Sequence, residues 1–363
     1  MLLNHFKSLA GIFLCIAFFF SCNAGPKNTG AEIQRKPKKA FTLIAPELDY
    51  VCSIKDSIHF VMDANRKSLQ TDSVQVFVNG IKITTETASP LKFLRKSPFI
   101  RVGRQNLRFV VYYNDSLNQT LSTRITVLSD IQPAGLTYEA IRSIPHSADA
   151  YIQGLFYYNG FLYEGTGKEH RSRLMKIDPK DGKIIMQRKI GDQYFGEGIT
   201  RWKNSIYQLT YMEKVGFVYD ISTFRQIREF NLQTMEGWGL TNNDKNLIAS
   251  DGSSVLYFYD PEYFIQVDQL DVCDNKGLAT QLNELEYVPD VVWANVYGQP
   301  YIVKIDLKNG KVLARLNLEA LFPKDVPRDM DHVLNGIAYN PDKNTFFVTG
   351  KFWPVMYEIR ILE

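Results

Sequence analysis

The sequence contains few of the residues that mark metal-binding or disulfide-rich proteins. Its 363 residues include four cysteines and five histidines, and no Cys/His cluster has zinc-site spacing. Lys and Arg number 42 against 39 Asp and Glu, a net charge of +3, so the basic surplus that nucleic-acid binding requires is also missing. At 45% hydrophobic residues, the chain is too apolar to be intrinsically disordered.

A long hydrophobic run is absent as well, and the one short run lies at the N-terminus. Residues 9–20 are mostly large and apolar, but a membrane span needs about 20 such residues. With Lys7 before it, the run predicts a secretory signal over residues 1–21. Ser21-Cys22 resembles the lipobox of bacterial lipoproteins, which predicts lipidation of Cys22. Ordinary cleavage nearby, with Cys22 unmodified, is the alternative.

This N-terminus predicts an exported protein, lipid-anchored to the bacterial envelope on a periplasmic or outer-membrane face. Residues 22–40 contain five Lys/Arg against one Glu and almost no large apolar residue, so we interpret them as a flexible tether. The two cysteines that follow Cys22 are Cys52 and Cys273, which lie in different halves of the chain. Two distant cysteines do not define a disulfide.

Aromatic residues, by contrast, are abundant at 13%, which favours β structure. Residues 41–131 show short alternating stretches, and Asn79-Gly80 between two of them predicts a hairpin with a type I′ turn. Strands at this spacing predict a small immunoglobulin-like β-sandwich. No group of residues in this segment converges on a catalytic or binding site, so we interpret the segment as a spacer or docking module.

Residues 136–363 contain five repeats of one short pattern, whose third positions are 154, 198, 239, 284 and 336. Intervals of about 40 to 50 residues are typical of β-propeller blades of four strands. The fifth repeat ends before its outermost strand, and the alternating residues 137–144 can supply that strand. The sequence therefore predicts an all-β chain with a sandwich followed by a five-bladed propeller.

Because the innermost propeller strands converge on one axis, equivalent positions should meet around it. The residue before each third position gives a first ring, and a second ring follows 13 residues after the third position in four repeats and 15 in the fifth. No histidine falls in either ring, which argues against a nucleophilic triad or a His-rich metal site. The reactive groups that the two rings do contain are one acid/base and hydrogen-bond donors for an oxyanion. Strand alternation should send the side chains of Glu284 and Glu286 away from the Asn283 side, so we interpret them as structural. The first ring contains Gln153, Glu197, Trp238, Asn283 and Asn335, and the second Gly167, Tyr211, Gly252, Tyr297 and Lys351.

Six segments in order resemble the glutamine cyclotransferase family. They run from about residue 137 to the C-terminus: Gln153-Gly154-Leu155, Phe195-Gly196-Glu197-Gly198-Ile199-Thr200, Gly237-Trp238-Gly239-Leu240, Leu282-Asn283-Glu284-Leu285-Glu286 with Trp293-Ala294-Asn295-Val296, Leu334-Asn335-Gly336-Ile337-Ala338, and Thr349-Gly350-Lys351-Phe352-Trp353-Pro354. The resemblance implies a five-bladed propeller that converts N-terminal glutamine of peptides to pyroglutamate and releases ammonia.

The resemblance also implies roles for particular residues. Glu197 is the expected proton shuttle, and Lys351, Gln153 and Asn283 would orient the γ-amide and stabilise the oxyanion. Trp238, Phe195 and Tyr151 would form the pocket wall, with Tyr211 and Tyr297 where the family usually has tryptophan and Tyr151 where it has phenylalanine. Asn335 completes the expected substrate contacts.

The expected partners are peptides or proteins with N-terminal glutamine, together with the membrane that holds the lipid anchor; nucleic acid is not among them, and we expect a monomer. The reaction requires no cofactor, and whether the propeller channel holds a structural calcium ion stays open. Two other functions stay open: a surface-anchored binding propeller without activity, and a calcium-dependent hydrolase of the lactonase kind. The latter needs several axial carboxylates, and the rings contain one.

Overall fold

The computed structural model of the protein describes residues 39–362, and this part of the chain is built almost entirely from β-strands. Within it the one helical element is a short 3₁₀ helix, η1 (Glu319–Leu321), and no helix in the described part could span a membrane. The prediction of an all-β protein is therefore confirmed. The predicted signal peptide, Cys22 and most of the predicted tether lie outside the described residues.

The first eight strands form two sheets around one core. Alternate residues of β3, such as Ile58, Phe60 and Met62, are buried in this core, as period-two alternation requires. A three-stranded sheet has the order β1-β3-β6, and a five-stranded sheet the order β2-β8-β7-β4-β5. The strands are β1 (Phe41–Ala45), β2 (Tyr50–Ser53), β3 (Ser57–Ala64), β4 (Thr71–Val78), β5 (Ile81–Glu86), β6 (Lys92–Lys96), β7 (Gly103–Tyr113) and β8 (Leu117–Leu128).

The predicted hairpin at Asn79-Gly80 is confirmed. Val78 of β4 pairs directly with Ile81 of β5, and the two turn residues have φ values of 47° and 87°. Positive φ at both central positions defines the type I′ turn, which asparagine and glycine tolerate better than other residues.

The remaining strands form three four-stranded sheets and one eight-stranded sheet. Their orders are β10-β11-β12-β13, β14-β15-β16-β17, β18-β19-β20-β21 and β22-β23-β24-β25-β9-β28-β27-β26. The strands are β9 (Ala134–Pro145), β10 (Ile152–Tyr158), β11 (Phe161–Thr166), β12 (Arg173–Ile177), β13 (Ile184–Lys189), β14 (Gly196–Trp202), β15 (Ser205–Thr210), β16 (Val215–Asp220), β17 (Gln226–Asn231), β18 (Leu240–Asn242), β19 (Leu247–Ala249), β20 (Val255–Tyr259), β21 (Gln266–Asp271), β22 (Leu282–Val288), β23 (Val291–Val296), β24 (Tyr301–Asp306), β25 (Val312–Asn317), β26 (Leu334–Asn340), β27 (Thr345–Gly350) and β28 (Val355–Leu362).

Strand β9 lies between β25 and β28 and pairs with both of them. Its residues from Thr137 to Pro145 pair antiparallel with β28, as the sequence predicts for residues 137–144. Its first residues, from Ala134 to Leu136, pair in parallel with β25. The pairing covers the otherwise open edge of β28, and it makes the two last groups of four strands into one eight-stranded sheet.

The first strands of the five four-stranded groups contact one another in a closed cycle, β10-β14-β18-β22-β26 and back to β10. Glycines permit this contact, because a Cβ on Gly154 would lie 2.4 Å from the Ile199 backbone nitrogen, and one on Gly239 would lie 2.0 Å from the Asn283 carbonyl oxygen. The N-terminal ends of these five strands are thereby brought to one place.

Ion pairs connect residues 101–130 to the sheets that follow. Arg104 contacts Asp271 at 2.6 Å, Arg101 contacts Asp268 at 2.8 Å, and Lys311 contacts Asp130 at 2.6 Å. Residues from Lys39 onward form one compact unit. The predicted limits 41–131 and 136–363 remain predictions about how this unit divides.

Candidate active site

A cavity of about 240 Å³ lies where the first strands of the sheets converge. Every predicted catalytic or substrate-binding residue except Asn335 lines it, together with Lys168, which sequence reasoning missed. The lining side chains come from the start of a first strand, from the residues just before it, or from the residues just beyond the end of a second strand. They are Tyr151, Gln153, Lys168, Phe195, Glu197, Tyr211, Trp238, Asn283, Tyr297 and Lys351.

Burial divides the lining into a floor and a mouth. The floor consists of the five buried residues Tyr151, Gln153, Glu197, Asn283 and Lys351. The mouth consists of the five partly exposed residues Lys168, Phe195, Tyr211, Trp238 and Tyr297. The groups able to move protons therefore lie at the bottom of the cavity, where water access is restricted.

A chain of hydrogen bonds connects the charged groups of the floor. Gln153 Nε2 donates to Glu197 Oε1 at 2.7 Å, and Lys351 Nζ donates to Gln153 Oε1. The Gln153 amide thus lies between the carboxylate and the ammonium, with its donor on one and its acceptor on the other.

Asn335 does not line the cavity and lies behind Gln153 instead. Its Nδ2 donates to the Ile152 carbonyl oxygen at 3.0 Å and to Gln153 Oε1 at 3.3 Å. Two donors on Gln153 Oε1 fix the orientation of that amide, so that its Nε2 faces Glu197. The structure therefore places Asn335 against another protein side chain, one layer away from the space that a substrate could occupy.

Burial shifts the ionisation of both charged floor groups towards their neutral forms. Desolvation raises the pKa of Glu197 well above its ordinary value, and the nearby Lys351 ammonium opposes that shift. Desolvation likewise lowers the pKa of Lys351 to about 8, opposed by Glu197. Both groups can therefore exchange protons closer to neutral pH than an exposed glutamate or lysine would.

The Asn283 side chain offers an acceptor to the cavity. Its Oδ1 is buried and has no hydrogen-bond partner among the described residues. A buried polar atom without a partner costs about 1–3 kcal/mol, so an N–H donor entering the cavity is favoured at this point. A γ-amide or an amine would supply such a donor.

Aromatic rings surround the mouth and the upper wall. Tyr151 and Phe195 meet edge to face with ring centroids 6.0 Å apart, and Trp238 and Tyr297 do so at 5.6 Å. The indole Nε1 of Trp238 donates to Glu236 at 2.9 Å, so Trp238 presents its ring to the cavity. Tyr211 continues the wall beside Phe195, at 5.7 Å.

Two glycines of the second predicted ring make room for these rings. A Cβ on Gly167 would lie 2.2 Å from Phe195 Cε1, and one on Gly252 would lie 2.7 Å from Trp238 Cζ2. The space that a side chain would fill at these two positions is therefore occupied by aromatic rings from the residues just before the first strands.

Replacing Gly167 with alanine is expected to displace the Phe195 ring from the cavity wall. Because small misplacements in a site can cost about 10²-fold, we expect kcat/KM to fall by roughly that factor. The control is Gly135→Ala, since a Cβ at Gly135 meets nothing within 4 Å. Steady-state kinetics of both variants check the prediction, and equal kinetics would contradict it.

The other candidate groups lie elsewhere. Glu284 accepts the backbone N–H groups of Leu155 and Ile337, and Glu286 accepts that of Tyr339. These two carboxylates thus brace neighbouring strands, as strand alternation predicts. In residues 39–362 no group of three or more His, Cys, Asp or Glu could hold a metal ion. Cys52 and Cys273 are buried free thiols, and burial raises the pKa of Cys273 to about 12.

The fold and the cavity together define an all-β protein in which strand ends from successive sheets build one buried acid–base site. A family model described as glutamine cyclotransferase matches residues 115–361. The chain belongs to the glutamine cyclotransferase family.

Two relatives show how far the similarity extends. The chain is 38% identical over 229 residues to a glutaminyl-peptide cyclotransferase of Arabidopsis thaliana, covering 62% of this chain and 71% of the relative. Its structure resembles the crystal structure of Myxococcus xanthus glutaminyl cyclase with a TM-score of 0.60 and 30% identity, covering 63% of this chain and 98% of that one.

Proposed function

We propose that the protein converts N-terminal glutamine of peptides and proteins to pyroglutamate with release of ammonia. The observation that carries this proposal is the hydrogen-bonded series Lys351-Gln153-Glu197 on the floor of a small aromatic cavity. The family membership and the names of the two relatives support the same reaction.

The reaction needs a proton shuttle more than a nucleophile, because the nucleophile belongs to the substrate. The α-nitrogen attacks the γ-carbonyl carbon of the same residue, and the new C–N bond closes a five-membered lactam. Glu197 takes the proton that the attacking nitrogen loses and returns it to the γ-nitrogen. The C–N bond to that nitrogen then breaks, and ammonia leaves. A positioned shuttle of this kind contributes about 10²–10⁴-fold to the rate.

The remaining floor residues hold the γ-amide in a reactive shape. Lys351 donates to the oxygen that becomes negative in the tetrahedral intermediate, and Asn283 Oδ1 accepts an N–H of the leaving group. Gln153 connects the ammonium and the carboxylate, and Asn335 fixes its orientation. Because the attack is intramolecular, folding the glutamine side chain inside the aromatic wall supplies part of the acceleration.

The finer architecture is also part of this proposal. We infer that the five strand groups are the blades of a five-bladed β-propeller, and the closed cycle of first strands supports this. Residues 41–131 would form an immunoglobulin-like sandwich, supported by two sheets around a shared core. We also propose a monomer, because each of the five strand groups contributes a residue to the cavity lining and no side of the site is left for a second copy to complete.

We also propose export and lipid anchoring at Cys22, with the active domain held outside the cytoplasm by residues 22–40. The support is the sequence of residues 1–22 alone. Mass spectrometry of the N-terminal peptide tests this: an acylated Cys22 is expected, and an unmodified N-terminus nearby would contradict it.

The activity is tested by incubating the protein with Gln-β-naphthylamide or Gln-Ala and measuring ammonia. Turnover that persists with chelator is expected, because the chemistry requires no cofactor. No turnover of either substrate would favour a binding propeller instead. Turnover abolished by chelator and restored by calcium would favour a metal-dependent mechanism.

A further inference from the structure

Lys168 stands apart from the other residues at the mouth of the cavity. It is the one charged residue among the five that form the mouth, because the other four mouth residues are aromatic. Its backbone has φ = 79°, in the left-handed region that residues other than glycine seldom occupy. Such conformations cost free energy and concentrate at functional sites.

The Lys168 side chain is held over the cavity by two contacts. Its Nζ lies 4.2 Å from the centroid of the Tyr151 ring, a cation–π geometry. The same Nζ contacts Asp331 Oδ1 at 2.9 Å. Lys168 follows β11, whereas Asp331 belongs to the segment between η1 and β26, in the repeat with the longest interval of the sequence. The pair therefore connects two distant parts of the chain at the entrance.

The Lys168–Asp331 pair is open to exchange with a ligand. The side chains are 35% and 58% exposed, and ion pairs at that exposure contribute only about 0–1 kcal/mol. The segment carrying Asp331 is held independently, because Tyr297 donates its hydroxyl to the Met330 carbonyl oxygen at 3.1 Å and Trp353 Nε1 donates to the His332 carbonyl oxygen at 2.9 Å. Lys168 can therefore leave Asp331 without loss of the segment.

A peptide bound for cyclisation must pass this pair. Its N-terminal glutamine occupies the floor, at Glu197 and Lys351, and the rest of the peptide leaves through the mouth. The next side chain is thus the first to reach the partly exposed residues. Two other carboxylates near the mouth accept N–H groups of the protein itself. Glu213 accepts the backbone N–H of Phe195, and Glu236 accepts the indole N–H of Trp238.

We propose that Lys168 is a specificity residue that binds an acidic side chain directly after the N-terminal glutamine, with Asp331 as a built-in competitor. This inference rests on the proposed cyclotransferase function. The substrate carboxylate replaces Asp331 on the Lys168 ammonium. The protein therefore prefers Gln-Glu and Gln-Asp peptides to their neutral analogues.

The test compares two peptides that differ only in the charge of the second residue, Gln-Glu-Ala amide and Gln-Gln-Ala amide. The measured quantity is the ratio of their kcat/KM values, in which any general loss of activity cancels. Lys168→Met is expected to lower this ratio by about threefold, the size that an exposed charge pair provides. Asp331→Asn is expected to raise it by a similar factor, because the competitor is removed.

The matched control is Lys176→Met, which removes a lysine that also lies over an aromatic ring, Phe161 at 4.0 Å, but away from the cavity. Its ratio should equal that of the unmodified protein. A ratio unchanged in both Lys168→Met and Asp331→Asn would overturn the inference, as would a fall in both. Failure of the unmodified protein to cyclise either peptide would instead refute the proposed function.

Discussion

Replacing Glu197 with glutamine is expected to lower kcat by about 10²–10⁴-fold, because glutamine fills the same space but can neither accept nor return the proton. The loss should fall on kcat rather than KM. Gln153 remains beside the new amide, and the aromatic wall is untouched. Single-turnover measurement of ammonia release with Gln-β-naphthylamide checks this prediction.

The folded state should tolerate Glu197→Gln well. Burial raises the pKa of both Glu197 and Glu284, so a neutral amide relieves a desolvation cost at either position. The two sites differ in their hydrogen bonds, because Glu197 accepts the Gln153 side-chain N–H, which the oxygen of the new amide can still accept. A matched control is Glu284→Gln, the same chemical change at a buried carboxylate that accepts two backbone N–H groups. The new amide would direct its NH₂ at one of these donors, so we expect a loss of about 1–3 kcal/mol in stability.

The two glutamine variants therefore separate catalysis from structure. Thermal unfolding should show a lower melting temperature for Glu284→Gln and little change for Glu197→Gln. The kcat, in contrast, should fall for Glu197→Gln and change little for correctly folded Glu284→Gln. Near-normal turnover by correctly folded Glu197→Gln would show that another group moves the proton, and the proposed mechanism would fail.

Much of this site could be predicted from the sequence because a repeat fixes geometry. Once equivalent first strands converge, Gln153, Glu197 and Asn283 at the second position of β10, β14 and β22 must come together. The same reasoning places Lys351, just beyond β27, in the same group. These predictions depend on backbone periodicity, which sequence spacing reports directly.

Asn335 shows where periodicity fails. It occupies the same position in β26, yet its side chain contacts Gln153 instead of lining the cavity. The difference coincides with Gly336, which has φ = 102°, whereas Gly154 and Gly198 at the equivalent position have no positive φ. The backbone of the fifth repeat therefore turns differently, and Asn295 Oδ1 accepts the Gly336 N–H. Spacing alone does not report such a contact between strands.

Lys168 was missed for a related reason. The ring position before it is Gly167, whose missing side chain suggests an empty place. The position of Lys168 depends on its left-handed backbone and on Asp331, 163 residues away.

Replacing Lys351 with methionine is expected to lower kcat by about 10²–10³-fold, the usual cost of one oxyanion donor. Its Nζ points at the Gln153 amide oxygen and lies 4.2 Å from the Tyr151 ring centroid. The methionine side chain can keep the packing on Tyr151 but supplies no charge and no donor. Lys351→Arg is the companion variant, because it keeps a charge that does not titrate in the accessible range.

The pH profile of kcat distinguishes this role from simple packing. Glu197 must be ionised to accept a proton, so activity rises as pH passes its raised pKa. Lys351 must be protonated to donate, so activity falls as pH rises through about 8. In Lys351→Met the descending limb should vanish. The ascending limb should move to higher pH, since the ammonium that lowers the pKa of Glu197 is gone. Lys351→Arg should also lack the descending limb but retain more activity. A descending limb that stays near pH 8 in both variants would assign that titration to another group and remove Lys351 from the mechanism.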